Sequence, residues 1–457
     1  MYSLDDTISA IVTSIGKSGV GIIKISGPKA YTITQQIFEP HRNITQFKPY
    51  HLHYGKIHDP ESNNCIDEAL VVYMPKPHSY TCQDVIEIQA HGSLVALQTI
   101  LELTLRLGAR LAEAGEMTLR AFLNGRLDLT QAEAVLDVID AKTEAALRVA
   151  TEQLGGNLSK RVSNIRKNLV DILAFMEASI DFVEDEIPHQ DIILPLTKAK
   201  TDLEELLKTA DHGIVYRQGV HVAIVGRPNV GKSSLLNALL RGNRAIVTNI
   251  PGTTRDTLEE TVNIEGIPVV LVDTAGIRTQ TTNEVERIGV ERSQRALERA
   301  DMALMVIDGS QKLSDADWTI AKLIRNKPSL LVINKIDLSS DEYLKIDTQF
   351  LSTAPKAYIS ALNNEGIPEL EKTIRNLIIG DITISDTPLV SNPRHKSLLQ
   401  QTIQAVEMAI IAQKGNVSPD LVSIDVRTAV NLLGEITGET ITEGLLDTIF
   451  SKFCIGK

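Results

Sequence analysis

The chain has 457 residues, of which 43% are hydrophobic and 4% aromatic, and its 46 lysines and arginines face 58 aspartates and glutamates. The length suggests about three domains, and the net charge of -12 argues against a protein that binds nucleic acid over its whole surface. Three cysteines, an odd number, exclude a disulfide framework. Because the sequence shows no secretory leader and no apolar run of about 20 residues, we expect a cytoplasmic protein with no membrane contact.

Residues 1–118 are predicted to form a mixed α+β domain. Short apolar runs rich in β-branched residues indicate strands, and Gly, Pro and Asp separate them. These runs are Ile8–Thr13, Val20–Ile25, Ala69–Tyr73 and Val85–Ile88. The apolar segment Leu94–Leu107, followed by Gly108, predicts one helix with a glycine at its C-terminus.

Residues 119–216 and 379–457 are predicted to be the two halves of an all-α domain. From Val162 to Val183 apolar residues recur every three or four positions, which is the pattern of an amphipathic helix. Residues 126–154 are poor in Gly and rich in Ala, Glu and Leu, which favours helix. The helical spacing returns after residue 379, at Leu399, Ile403, Val406 and Ile410.

Between these halves, residues 217–378 are predicted to form an inserted, Ras-like α/β domain. Buried-type strands alternate there with helical stretches, which predicts a doubly wound, mostly parallel sheet. The strands are Val220–Val225, Val269–Val272, Met302–Ile307, Leu330–Ile333 and Ala357–Ile359. Positive and negative charges balance in this segment, so the net charge of -12 lies in its flanks. This change of composition supports an insertion into the helical domain.

The segment Gly226–Ser233, GRPNVGKS, fits the phosphate-loop pattern G-x-x-x-x-G-K-[ST]. It follows a predicted strand and opens a predicted helix over Ser234–Leu240, as phosphate binding by backbone N–H groups and a helix N-terminus requires. Lys232 would contact the β- and γ-phosphates, and the Ser233 hydroxyl would bind Mg²⁺.

Three further motifs stand at strand ends, where open α/β sheets bind ligands. Asp273–Gly276 offers a carboxylate to Mg²⁺ through water and an N–H to the γ-phosphate. Asn334–Asp337, NKID, offers the Asp337 carboxylate to the N1–H and amine of guanine. Ser360–Ala361 offers a backbone N–H to the guanine carbonyl oxygen. Four elements in this order on one sheet predict GTP rather than ATP.

The residues for hydrolysis depart from the Ras pattern. Ile277 stands where a Ras-like switch has a water-orienting glutamine, so assistance must come from another carboxylate, a cation or a partner. In the candidate first switch, residues 248–256, Thr254 is the expected second Mg²⁺ ligand. Arg255, beside Asp256, is a candidate arginine finger, although a surface ion pair is the favoured interpretation.

The phosphate loop together with Pro251–Asp256, PGTTRD, resembles the TrmE–Era–EngA–YihA class of translation GTPases. Three further stretches narrow the resemblance to the MnmE (TrmE) family of tRNA modification GTPases: GVGIIKISG at 19–27, AFLNGRLDLTQAEA at 121–134 and the tail FSKFCIGK at 450–457. The resemblance extends from the first ten residues to the last seven.

The resemblance implies a GTPase that K⁺ activates when two G domains meet, with the cation in the place of an arginine finger. The implied K⁺ ligands are Asn229, Thr248, Ile250 and Thr253, and Glu286, with Glu284 as the alternative, would orient the water. The residues implied to contact GTP are Asn229, Val230, Gly231, Lys232, Ser233, Ser234, Thr248, Asn249, Ile250, Pro251, Gly252, Thr253, Thr254, Asp273, Thr274, Ala275, Gly276, Asn334, Lys335, Asp337, Ser360 and Ala361. Cys454 is either a catalytic residue or a small buried hydrophobe.

The resemblance also implies an N-terminal domain that dimerises and binds 5-formyl- or 5,10-methylene-tetrahydrofolate through Lys24, Glu87, Arg126 and Lys457. Lys24 stands where the family usually has arginine, and Arg126 where it has lysine, and these two cations are not interchangeable. The alternative interpretation of both is solvated surface charge.

The family implies a homodimer that joins an MnmG-type flavoprotein, which carries FAD and uses NADH, in a heterotetramer. The complex would add a carboxymethylaminomethyl or aminomethyl group to C5 of the wobble uridine of certain tRNAs. The alternative is a ribosome-assembly GTPase of the Era or EngA type, for which we would expect a basic RNA-binding domain or a second phosphate loop. A dynamin-like switch would need a basic amphipathic helix. The sequence shows none of these features.

Overall fold

A computed structural model describes residues 4–14, 16–42, 44–181, 191–243, 260–272, 297–338, 351, 354–380 and 390–457. The chain divides into two compact units. The first unit contains Met1–Leu136, Leu154–Pro195 and Met408–Lys457, and the second contains Asp137–Gln153 and Leu196–Glu407. In the described part of the chain no helix is both long and apolar enough to cross a membrane.

The first unit contains a seven-stranded sheet in the order β3-β4-β5-β6-β2-β1-β7. Its strands are β1 (Ile8–Ile11), β2 (Ser18–Ser26), β3 (Phe38–Pro40), β4 (Leu52–His58), β5 (Cys65–Met74), β6 (Val85–Gly92) and β7 (Arg110–Leu111). Neighbouring strands are antiparallel except β1 and β7. Helices α1 (Ala30–Ile37) and α2 (Leu94–Arg106) contribute Ile33 and Ile100 to the same core as Ile23 and Ile88 of the sheet.

Several helices complete this unit: α3 (Glu116–Leu123), α4 (Leu129–Asp140), α6 (Asn157–Asp181), α13 (Pro419–Thr437) and α14 (Glu443–Phe450). The stripe predicted from Val162 is confirmed, since Val162, Ile165, Leu169, Ile172 and Met176 are buried on α6. Val183, at the end of the predicted stripe, lies outside the described residues. Helix α13 packs against α6, and the Arg427–Glu177 ion pair joins the two.

A buried ion network fixes α3 in this unit. Arg120 is 1% exposed, and its guanidinium donates to Glu116 Oε1 at 2.9 Å, to Gln83 Oε1 at 3.0 Å and to the Asp6 carboxylate. Arg110 donates to the same oxygen, Glu116 Oε1, at 2.7 Å and to Glu116 Oε2 at 3.1 Å. Because a buried charge is costly unless it is paired, this network explains how α3 can bury an arginine and a glutamate.

The second unit contains a six-stranded sheet in the order β13-β12-β11-β8-β10-β9. Its strands are β8 (Val220–Val225), β9 (Glu260–Ile264), β10 (Ile267–Val272), β11 (Met302–Asp308), β12 (Ser329–Asn334) and β13 (Lys356–Ile359). All neighbours are parallel except β9 and β10. Its helices, wholly or mainly, are α5 (Glu144–Leu154), α7 (Ile193–Lys208), α8 (Ala210–Gln218), α9 (Lys232–Asn243), α10 (Asp315–Ile324), α11 (Ile367–Ile379) and α12 (Pro393–Lys414).

The predicted fold class is confirmed, with an N-terminal α+β part, a helical part and a doubly wound, mostly parallel sheet. Each of the five strands predicted for the α/β segment lies within an observed strand. The helix predicted over Leu94–Leu107 ends at Arg106, and Gly108 follows with φ +100°. The predicted domain limits at 118, 216 and 378 stay predictions.

Candidate functional site

The loop between β8 and α9 folds tightly because glycine occupies two positions that no side chain fits. Gly226 has φ +151°, and a Cβ there would lie 2.3 Å from the Val306 carbonyl oxygen. Gly231 has φ +97°, and its Cβ would lie 2.1 Å from Asn334 Nδ2. Asn229, also at positive φ (+65°), is exposed on the loop, in a conformation that asparagine tolerates better than most residues. The segment therefore wraps closely around the N-terminus of α9, where anions bind favourably.

Lys232, the first residue of α9, points back into this loop. Its Nζ donates to the carbonyl oxygens of Gly226 and Arg227, each at 2.7 Å. Burial lowers the pKa of Lys232 to about 8, and among the described residues it has no carboxylate partner. A desolvated amine without a counter-ion suits an anionic ligand, so the loop fits phosphate. Ser233 follows it, partly buried, and Ser234 is exposed.

Asn334 at the end of β12 ties the phosphate loop to the loop after β13. Its side chain is 2% exposed, and Nδ2 donates to the Val230 carbonyl at 2.8 Å. Its Oδ1 accepts the Ala361 N–H at 3.0 Å. Since buried amides are costly to leave unpaired, these bonds set the relative positions of three strand ends.

The other residues predicted to contact guanine lie beside Asn334. Lys335 has φ +65°, and its Nζ donates to Asp308 Oδ2 at 2.7 Å. Burial raises the pKa of Asp308, but hydrogen bonds from Lys335 and Ser310 outweigh it and leave that pKa below its usual value. Asp337 is exposed on the short 3₁₀ turn Ile336–Leu338, with its carboxylate accessible to a ligand.

The loop after β13 already uses the N–H groups that were predicted to face guanine. The Ser360 N–H donates to the Glu365 carbonyl at 3.0 Å, and the Ala361 N–H donates to Asn334. An additional acceptor there would share or replace one of these bonds.

The predicted switch residues lie outside the described part of the chain. They are Thr248, Asn249, Ile250, Pro251, Gly252, Thr253, Thr254, Arg255, Asp273, Thr274, Ala275, Gly276, Glu284 and Glu286. Among the described elements, β10 ends at Val272 beside β8, whose end carries the phosphate loop. The roles assigned to these switch residues stay predictions.

In the first unit, two of the four residues predicted to bind folate, Lys24 and Arg126, lie over the Tyr80 ring, and a third, Glu87, pairs with Lys24. Lys24 and Glu87 are opposite each other on β2 and β6, with Nζ and Oε1 3.1 Å apart. Lys24 Nζ lies 5.6 Å from the centroid of the Tyr80 ring, and the Arg126 guanidinium carbon lies 4.8 Å from it. Arg126 Nη1 also donates to the Tyr80 carbonyl oxygen at 2.9 Å. Residues distant in sequence thus form one cationic cluster on an aromatic ring.

The C-terminal tail is held by its backbone in the same unit. Ile455 forms an isolated antiparallel bridge with Ala114, and the Met117 N–H donates to the Lys457 carbonyl at 3.1 Å. The Lys457 side chain is exposed. Cys454 is exposed too, so the interpretation of this cysteine as a buried hydrophobe is wrong, and its catalytic role stays a prediction.

Sequence reasoning missed Tyr80. Its hydroxyl shares a 2.9 Å hydrogen bond with Thr118 Oγ1, and burial raises its pKa above the ordinary value of 10.0. The available signal was an aromatic residue in the segment between Met74 and Val85, which contains two prolines. Only the fold places that residue between two cations.

The phosphate loop on β8 and α9, with the Asn334 and Asp337 motif at the end of β12, defines a P-loop GTPase. The family model "GTP-binding protein TrmE N-terminus" matches residues 7–126, and the model "MnmE helical domain" matches residues 129–454. The chain belongs to the tRNA modification GTPase MnmE family and is a GTP hydrolase.

Curated relatives match the whole chain. The tRNA modification GTPase MnmE of Roseiflexus castenholzii (strain DSM 13941 / HLO8) is 47% identical over 464 residues, which are 99% of each chain. The protein of that name from Alkaliphilus oremlandii (strain OhILAs) is 45% identical over 463 residues and 100% of each chain. Among solved structures, an Aquifex aeolicus Era variant bound to GDP.AlF4- is 31% identical over 41% of this chain and 66% of its own, with a TM-score of 0.28.

Proposed function

We propose that this protein is a K⁺-dependent GTPase that acts with an MnmG-type flavoprotein on tRNA. The pair would add a carboxymethylaminomethyl or aminomethyl group to C5 of the wobble uridine, using a tetrahydrofolate one-carbon unit. The observation that carries the proposal is the coexistence, in one chain, of a desolvated Lys232 in a phosphate loop and a cationic cluster at Tyr80. Similarity along the whole chain to proteins named tRNA modification GTPase MnmE supports it.

The nucleotide in this proposal is GTP with Mg²⁺. Lys232 would exchange its two carbonyl acceptors for phosphate oxygens, and the Asp337 carboxylate would accept hydrogen bonds from guanine. Ser233 and Thr254 would be the protein ligands of Mg²⁺, which suits hydroxyl oxygens.

Hydrolysis would depend on K⁺ held by Asn229, Thr248, Ile250 and Thr253. When bound, the cation supplies positive charge where negative charge develops between the β- and γ-phosphates. Asn229 is exposed on the phosphate loop, so its side chain is free to meet a ligand there. Glu286 would orient the attacking water in place of the glutamine that Ile277 replaces. The G domains of two protomers would meet to complete this site.

The folate in this proposal is 5-formyl- or 5,10-methylene-tetrahydrofolate. Lys24, Glu87 and Arg126 would bind it, with Lys457 from the tail. Their convergence on Tyr80 supports this assignment over scattered surface charge. Cys454, which is exposed in the same tail, would be a catalytic or substrate-contacting residue.

The assembly would be a cytoplasmic homodimer, joined through the N-terminal domains, that forms a heterotetramer with the FAD- and NADH-using partner. The net charge of -12 fits a division of labour in which a more basic partner holds most of the tRNA.

The experiment that tests the GTPase proposal compares hydrolysis in potassium and sodium at equal ionic strength. We expect faster turnover in potassium and loss of that advantage in Asn229→Ala, with both proteins measured at saturating GTP because Asn229 is also a predicted GTP contact. A matched control is Asn416→Ala, an exposed asparagine that is also at positive φ (+53°), in the loop after α12. Equal rates in both salts would contradict the cation mechanism. Mass spectrometry of wobble nucleosides in a deletion strain, beside ribosome co-sedimentation, separates tRNA modification from ribosome assembly.

A further inference from the structure

The Tyr80 ring is the common contact of two cations in the proposed folate site. Both cations reach it from different elements, Lys24 from β2 and Arg126 from the turn after α3. The distances to the ring centroid, 5.6 Å and 4.8 Å, are within the range of cation–π attraction. Tyr80 therefore links the positions of two side chains that are far apart in the sequence.

The two cations differ in how their charge is balanced. Lys24 pairs with Glu87 at 3.1 Å, whereas Arg126 forms no ion pair with any described residue. Apart from the ring, the Arg126 guanidinium contacts the Tyr80 carbonyl, which accepts one of its five N–H groups. Arg126 is exposed, so the remaining N–H groups face solvent in an orientation that Tyr80 sets. A planar guanidinium with free N–H groups matches a carboxylate.

Tyr80 is itself anchored at its far end. Its hydroxyl bonds to Thr118, which is fully buried in α3. The residue before Thr118, Met117, donates its N–H to the carbonyl of Lys457. The ring is thus fixed on the same helix that holds the C-terminal tail.

We infer that Tyr80 is a positioning residue that holds Arg126 to receive the glutamyl carboxylates of the folate. The inference rests on the proposed folate function and deepens it, since it assigns one part of the ligand to one side chain. The ring supplies the face over which the guanidinium lies, and packing against the cluster of Ile8, Ala10, Ala112 and Met117 keeps the ring in place, with the hydroxyl bond to Thr118 as an additional contact.

Calorimetry with 5-formyltetrahydrofolate and the full-length chain tests the inference. We expect Tyr80→Leu to bind the folate about tenfold more weakly, because it loses the cation–π contact with Arg126. Tyr80→Phe keeps the ring and should bind within about twofold of wild type. Tyr358→Leu is the matched control, because this exposed tyrosine lies on β13 of the other unit. The double variant Tyr80→Leu/Arg126→Ala should bind no more weakly than Arg126→Ala alone, since Tyr80 acts through Arg126.

A second ligand, 5-formyltetrahydropteroate, lacks the glutamyl carboxylates. Its binding should be nearly unaffected by Tyr80→Leu, because Lys24, the other cation beside the ring, keeps its ion pair with Glu87. An equal loss for both ligands, additive losses in the double variant, or unchanged binding by Tyr80→Leu each overturns the inference while the folate function stands. Absence of folate binding by the wild type overturns both. If Tyr80→Leu does not fold, Tyr80→Met, which fills the space with an unbranched side chain, takes its place with the same expected losses.

Discussion

The pKa of Lys232 predicts how nucleotide affinity changes with pH. Burial lowers this pKa to about 8 in the free protein, and the amine has no carboxylate partner among the described residues. Bound phosphates favour the charged amine, so the pKa rises when nucleotide binds. Binding must then be accompanied by proton uptake wherever the free amine is partly deprotonated.

The magnitude follows from the protonated fraction of the free protein. With a pKa of about 8, that fraction falls from roughly nine-tenths at pH 7 to one half at pH 8 and a quarter at pH 8.5. Affinity should therefore fall about fourfold from pH 7 to pH 8.5, and binding at pH 8 should take up about half a proton. The phosphates contribute little to this change, because their last pKa is about 6.

The assay is fluorescent GDP binding with constant Mg²⁺ and ionic strength from pH 7 to 8.5, above which guanine N1–H begins to ionise. Calorimetry in two buffers of different ionisation enthalpy gives the proton uptake directly. Lys232→Arg is the control: its guanidinium stays protonated, so it should bind more weakly but with a flat profile. A flat wild-type profile without proton uptake would refute the argument.

Two stability predictions concern buried polar residues. Asn334→Ala should lower the free energy of unfolding of the second unit by about 2–3 kcal/mol, because it removes two buried hydrogen bonds. Urea denaturation, followed by the fluorescence of the single tryptophan, Trp318, measures this loss, and the exposed Asn363→Ala is the control. Arg120→Met should lower the free energy of unfolding of the first unit by about 3–5 kcal/mol, because Glu116 loses its buried ion pair with Arg120. The pKa of Glu116 is raised by burial but lowered further by its hydrogen bonds, so it ends below its usual value. The ionised Glu116 stabilises the fold fully above its ordinary pKa of 4.5, and this stabilisation is lost as the pH falls through its lowered pKa in the folded state. An acid titration followed by circular dichroism should therefore show a smaller loss of stability in Arg120→Met than in wild type. An unchanged acid transition would contradict this reasoning.

The sequence predicted the strands and helices with a strong apolar pattern and missed those in which the pattern is short or interrupted by polar residues. The buried strands of the second sheet are continuous apolar runs, such as Met302–Ile307, which is buried throughout, and these were found. Strand β9 was missed because it is an antiparallel neighbour of β10 at the sheet edge and carries polar residues. Helix α1 was missed because its eight residues, AYTITQQI, are too short and polar for a periodic signal.

The candidate sites divide in the same way. The phosphate loop was predictable because its residues are contiguous, and its geometry needs glycine at Gly231 where Asn334 approaches. Asn334 was predicted for its motif, but its bonds to Val230 and Ala361 required the register of the sheet. Tyr80 could not be found from the sequence, because its role depends on contacts between side chains more than 40 residues apart.

The surroundings of Lys24 and Arg126 explain why each position suits its own cation. Lys24 stands opposite one carboxylate, Glu87, across neighbouring strands, and a compact ammonium satisfies that single acceptor at 3.1 Å. Arg126 meets a ring and a carbonyl of the same residue, which a planar guanidinium can contact together through its face and one N–H group. A lysine at position 126 could not contact the ring and the carbonyl at the same time. An arginine at position 24 would have N–H groups that Glu87 alone cannot accept. The cation at each position therefore matches its surroundings in a cluster organised by Tyr80 and Glu87, and in the proposed folate site the ligand would meet the ammonium of Lys24 on one side and the guanidinium of Arg126 on the other.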